Sequence, residues 1–193
     1  MTSETRVVFI GDDLVAGRGD PRAQGWPGRV VARTEPPAAL TAYVLAAPGE
    51  ATTGLANRWE DEADRRFNPE GPNRLVIGLG WSDLDNGVSV ARARLNLANI
   101  LDKAAAKKIP AMVVGPPPRR AEEESSISAY SEAFAEVSAR RETPYVETLK
   151  PLANHEQWLE DMRASGFTWP AQFGYGLIAW LVLHSHWTEW VRD

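Results

Sequence analysis

The sequence contains no cysteine, and histidine is nearly as scarce, with three in 193 residues. Without thiols there are no disulfides and no thiolate metal ligands, a composition that suits a reducing compartment. Basic residues are also in short supply: 21 Lys and Arg against 26 Asp and Glu give a net charge of −5. That balance leaves no electrostatic footprint for nucleic acid. Long hydrophobic runs are missing as well. The most apolar stretch, LIAWLVL at 177–183, falls far below the ~20 residues a membrane span needs. The N-terminal MTSETRVVFIGDD meets acids almost at once and has no long apolar core, so it does not read as a secretory signal. The expectation is a soluble, cytoplasmic protein with neither nucleic acid nor membrane as partner.

Core-forming material is abundant. Hydrophobic residues make up 44% of the chain and eight are Trp, more than a disordered chain carries. The length fits a single domain, 1–193, and neither a repeat nor a linker interrupts it. Five short runs rich in β-branched residues stand at Arg6–Ile10, Thr41–Ala46, Arg74–Leu79, Ala111–Gly115 and Pro144–Glu147. They are continuous rather than alternating, the pattern of strands covered on both faces. Helical patterns lie between them at Trp26–Thr34, Thr52–Arg66, Ser89–Lys108 and about Glu123–Arg141, with a final helix from near Pro170 to the C-terminus. Alternation of this kind predicts a parallel sheet with helices on both faces. Ligands then bind beyond the carboxyl ends of the strands, which directs attention to the loops Gly11–Leu14, Pro48–Thr52, Gly80–Asp85 and Gly115–Arg120.

The first of those loops, in RVVFIGDDLVAG, is a sharp strand-to-helix turn, a usual mount for a nucleophile. Asp13 stands at its tip. Read without reference to any family, Asp13 is a helix N-cap. Asp12, Asp13, Glu50 and Asp83 share this loop end, with Trp81, Trp169 and Trp26 as flanking indoles. Carboxylates beside indole faces suit an organic cation, and oxygen-only acids suit Mg2+ or Ca2+. Packing and loop bracing are the simpler roles for the same residues, and neither a metal nor a cofactor is assigned.

Together the loops resemble those of the SGNH, or GDSL, hydrolases, a family of esterases and acylhydrolases. VVFIGDDLVAG looks like the first block, Gly-Asp-Ser-Leu, with Asp13 where the family has its nucleophilic Ser. AAPGEATTGLANRW looks like the second, with Gly49 matching the oxyanion-hole glycine. LVIGLGWSDL looks like the third, Gly-x-Asn-Asp, with Ser82 in place of the Asn. SGFTWPAQFGYGLIAWLV looks like the last, where the His position falls on Trp169 or Thr168 and the Asp position on Gly166 or Ser165. The resemblance implies a flavodoxin-like three-layer α/β/α sandwich with a five-stranded parallel sheet.

It also implies an activity whose parts are replaced. A serine needs a base to activate it and an acid to orient that base. His155, His184 and His186 lie away from the family's base position. The expectation is a non-catalytic binding or interaction module with a small molecule in a vestigial pocket, and with Asp13 filling its own oxyanion hole. The alternative is a hydrolase using Asp13 as nucleophile or general base, with Asp83 or Glu50 nearby. Trp180, Trp187 and Trp190 fall on one broad face of the final helix, which suggests a homodimer through it.

Overall fold

The computed structural model describes residues 4–35 and 39–192. The first three residues of the N-terminal segment read for a signal lie outside them. Strands form where the apolar runs stand: β1 (Thr5–Gly11), β2 (Leu40–Ala46), β3 (Asn73–Gly78), β4 (Ala111–Val114) and β5 (Tyr145–Val146). All pair in parallel, in the order β2-β1-β3-β4-β5. Alternation along each strand divides the core in two. Val7, Phe9, Val76 and Met112 serve one face, and Val8, Ile10, Leu75 and Ile77 the other. Strands used on both sides cannot carry a polar stripe, hence the unbroken apolar runs.

The helices are α1 (Asp13–Ala16), α2 (Gly25–Ala32), α3 (Thr52–Asp64), α4 (Ser82–Asp85) and α5 (Val90–Ala106). Beyond β4 follow α6 (Glu124–Ala139), α7 (Leu149–Ala153), α8 (Glu156–Ala164), α9 (Gln172–Leu183) and α10 (Trp187–Arg192). Residues of α2, α8, α9 and α10 pack on the first face and residues of α3, α5 and α6 on the second. The result is a three-layer α/β/α sandwich. No helix among the described residues is long and apolar enough to cross a membrane.

The C-terminal segment is two helices, not one. α9 stops at Leu183, and the turn before α10 sends Trp187 into the core. There Trp187 is 0% exposed, stacks on Phe9 at 6.1 Å and donates its indole N–H to Thr34 Oγ1 at 2.9 Å. Trp190 is buried beside it, while Trp180 stays 55% exposed. The common face expected of Trp180, Trp187 and Trp190 therefore does not exist, because spacings of seven and three align them only on an unbroken helix.

Candidate functional site

The strand order reverses direction between β1 and β3, and ligand crevices of open α/β sheets form at such a switch point. β1 and β3 end there in register, Gly11 beside Gly78. The N-cap of α1 is Asp12 rather than Asp13: its backbone is extended and Oδ1 accepts from Leu14 N at 3.1 Å. Asp13 is instead the first helical residue. Its side chain is 6% exposed, and both oxygens are engaged. Gly49 N donates to Oδ2 at 2.6 Å, and Arg18 Nη1 donates to Oδ1 at 3.0 Å. Gly49 presents that N–H from φ 76°, a left-handed conformation that glycine adopts at little steric cost.

Behind this turn lies a second carboxylate. Ser82 Oγ donates to Asp12 Oδ2 at 2.8 Å, so its single proton is spent on Asp12 and not on an oxyanion position. The fit is close: a Cβ on Gly80 would fall 2.4 Å from Asp12 Oδ2. Burial pushes the Asp12 carboxyl up to about 6, although the bonds from Ser82 and Leu14 favour the charged form. Asp83 Oδ1 accepts from both the backbone N and the hydroxyl of Thr52 at 2.9 Å, and burial raises this carboxyl too. Glu50 is paired with Arg58 at 2.6 Å.

Each of the four carboxylates expected to face a ligand thus has its own protein partner. No group of three or more His, Cys, Asp or Glu that could hold a metal occurs among the described residues. The cavity bordered by Asp12, Glu50, Ser82 and Asp83 measures about 10 Å3, room for roughly one water.

The indoles are occupied in a similar way. Trp81 is buried and donates to the Pro117 carbonyl at 2.7 Å. Trp169 stacks on it, with centroids 6.4 Å apart. Arg18 lies over Trp169 at 5.0 Å and Arg119 over Trp81 at 5.1 Å, so the chain's own guanidiniums cover the two indoles expected to receive an organic cation. Trp26 packs edge-on against Phe9 in the core and lines no part of this stack.

The loop where the family resemblance puts its acid and base supplies neither. Ser165 Oγ donates to Met162 O at 3.0 Å and accepts from Thr168 N and Trp169 N at 3.3 Å, which ties the loop to itself. Gly166 is exposed, and so is Thr168. His155 stands at the N-cap position of α8 with no side-chain bond to it, His184 stacks on Trp180 and His186 is exposed. None of the three is among the partners of Asp13.

Arg18 is the site residue that the sequence reading passed over. Its carbonyl accepts from Tyr175 Oη at 2.6 Å, and Asp20 anchors the loop that carries it. Asp20 accepts from Arg22 N, Gln24 N and Gly25 N and from both terminal nitrogens of Arg29. Burial alone would raise the Asp20 carboxyl, yet these bonds hold it down at about 2. The available signal was a lone Arg five residues after Asp13, in a glycine-rich turn.

A parallel β2-β1-β3-β4-β5 sheet with its site loops at the switch point defines a flavodoxin-like α/β/α protein. The chain belongs to the GDSL-like lipase/acylhydrolase family, whose sequence model matches residues 9–177. Similar solved structures share the fold. A lipase/acylhydrolase from Enterococcus faecalis is 21% identical with a TM-score of 0.75, covering 92% of this chain and 93% of its own. Axe2, an acetylxylan esterase from Geobacillus stearothermophilus, is 16% identical with a TM-score of 0.78, covering 97% and 96%. The psychrotrophic esterase EstA from Pseudoalteromonas sp. is 16% identical with a TM-score of 0.72, covering 97% and 99%. A comparison with curated proteins found no match.

Proposed function

We propose that this chain is a non-catalytic binding module on the GDSL hydrolase fold. The observation that carries the reading is the Asp13 carboxylate on the Gly49 N–H, 2.6 Å away. Acyl transfer needs donors left free for the oxygen on which charge develops. Here a resident anion holds that donor before any substrate arrives, and Arg18 neutralises the anion from its other oxygen. A carboxylate so paired is a poor nucleophile, and no imidazole stands beside it to activate a water. The alternative, a hydrolase with Asp13 as nucleophile or base, needs a second acid or base. Glu50 and Asp83, which the sequence offers on the same loop end, are committed to Arg58 and Thr52, and the adjacent Asp12 is held by Leu14 N and the Ser82 hydroxyl.

The test is hydrolysis of p-nitrophenyl acetate by the parent, Asp13→Ala and Asp13→Ser, purified identically. All three are expected to match the buffer rate, and Asp13→Ser gains nothing because its hydroxyl has no base. Turnover by the parent that vanishes in Asp13→Ala would overturn the reading in favour of carboxylate chemistry.

A further inference from the structure

Space for a ligand lies beside the switch-point turn rather than in it. A cleft of about 410 Å3 opens between the loop after β4 and helix α8, within the size range of small-molecule sites. Pro118, Leu159 and Phe167 give it an apolar lining, and Arg120 and Arg163 bring cationic donors. Arg119 borders the same cleft but is already bound to Asp85, Glu123 and the face of Trp81. Neither Arg120 nor Arg163 has a side-chain partner among the described residues. Phe167 reaches the cleft through φ 60°, a left-handed backbone that a bulky residue rarely adopts and that is retained where surroundings demand it. The loop that, by family resemblance, would carry acid and base thus delivers two aromatics, Trp169 to the indole stack and Phe167 to the cleft.

We propose that this cleft binds a small organic monoanion, a carboxylate on an aromatic or branched apolar body. Arg120 and Arg163 take the carboxylate, for which guanidinium offers paired donors, and Leu159 and Phe167 take the body. Glu122 and Glu124 also line the cleft, so a second negative charge on the ligand meets like charge and is disfavoured. This inference rests on the reading of the chain as a binding module and names the ligand class of that module.

The experiment is an amide-shift titration of the 15N-labelled full chain with 2-naphthoate, 2-naphthyl phosphate and 2-naphthylmethylamine at pH 7.5. Naphthoate is expected to give saturable shifts at Arg119–Ala121, Asn154, Arg163 and Phe167, with the phosphate weaker and the amine inert. The double substitution Arg120→Ala with Arg163→Ala, both on the surface, is expected to weaken naphthoate by about tenfold or more. Absence of saturation in the millimolar range overturns the proposal. So do shifts centred on Asp13 and Gly49, tighter binding of the phosphate or amine, or an unchanged affinity in the double variant. The ester assay on the same sample keeps the two ideas apart. Hydrolysis that depends on Asp13 defeats the non-catalytic reading, while the naphthoate titration decides the cleft.

Discussion

Asp12 and Asp20 are both buried carboxylates, yet one is lifted to about 6 and the other held at about 2. Their donors account for the difference. Asp20 receives the Arg29 guanidinium and three backbone N–H groups, whereas Asp12 receives the Leu14 N–H and the hydroxyl and N–H of Ser82, with the Asp13 carboxylate as neighbour and no cation. For Asp12 the folded state binds its proton more tightly than the unfolded chain. Between about pH 4 and 6 the folded protein therefore holds a proton that the unfolded state releases, and stability falls as pH rises through that window. Asp12→Asn retains an acceptor for Leu14 and gains an amide for the Ser82 oxygen. It is expected to be more stable than the parent at pH 8 by about 2–3 kcal/mol, with the advantage disappearing below pH 4. Urea denaturation at the two pH values measures this, and an equal difference at both would refute it. Asp20 has the opposite sign: its contribution is present above about pH 4 and is lost as pH falls towards 2.

Elements differ in how openly the sequence announces them. Val7–Ile10 and Leu75–Ile77 reveal strands because burial on both faces requires unbroken apolar runs. α7 and α8 were not anticipated. α8 does carry an apolar stripe, Trp158, Leu159 and Met162, but at nine residues it is short, and α7 is only five residues long with Pro151 inside it, so neither sustains a pattern over several turns. The site was legible as loops but not as contacts. Asp13 meets Gly49 across 36 residues and Ser82 meets Asp12 across 70, and such pairings follow from strand register. Arg18 acquires its role only when α9 docks, bringing Tyr175 to its carbonyl, and when the loop before α9 sets Trp169 beneath its guanidinium. The irregular segment between α1 and α2 is held in turn by the Arg29–Asp20 pair, with side chains 7% and 0% exposed. Arg29→Met would strand a buried carboxylate, at a cost of about 3–5 kcal/mol. A melting point lower by roughly 6–20 °C at pH 7 is expected. A loss of only a degree or two in a circular-dichroism melt would mean that the pair is dispensable to the loop.

At the scale of the whole molecule, the two tryptophans nearest the C-terminus act in the monomer. Trp187 fills the space between Phe9 and Trp190 and ties α10 to the end of α2 through Thr34. Truncating it opens a cavity on the face shared by α2, α9 and the sheet. Trp187→Ala is therefore expected to cost about 3–5 kcal/mol, read as a lower melting point that does not change with protein concentration. Trp180 has no such role: it is half exposed and covered on one side by the His184 ring, 4.1 Å away. Trp180→Ala is expected to stay within about 0.5 kcal/mol of the parent. If copies of the chain do associate through α9, the contact belongs to Trp180 and to Phe173, seven residues earlier on the same face and also exposed. Light scattering separates these cases. A Trp187→Ala variant that halves in mass while keeping its melting point would restore the idea of an interface through that residue. A variant of unchanged mass that melts early at every concentration assigns Trp187 to the core, where an isolated α10 would otherwise have little to hold it.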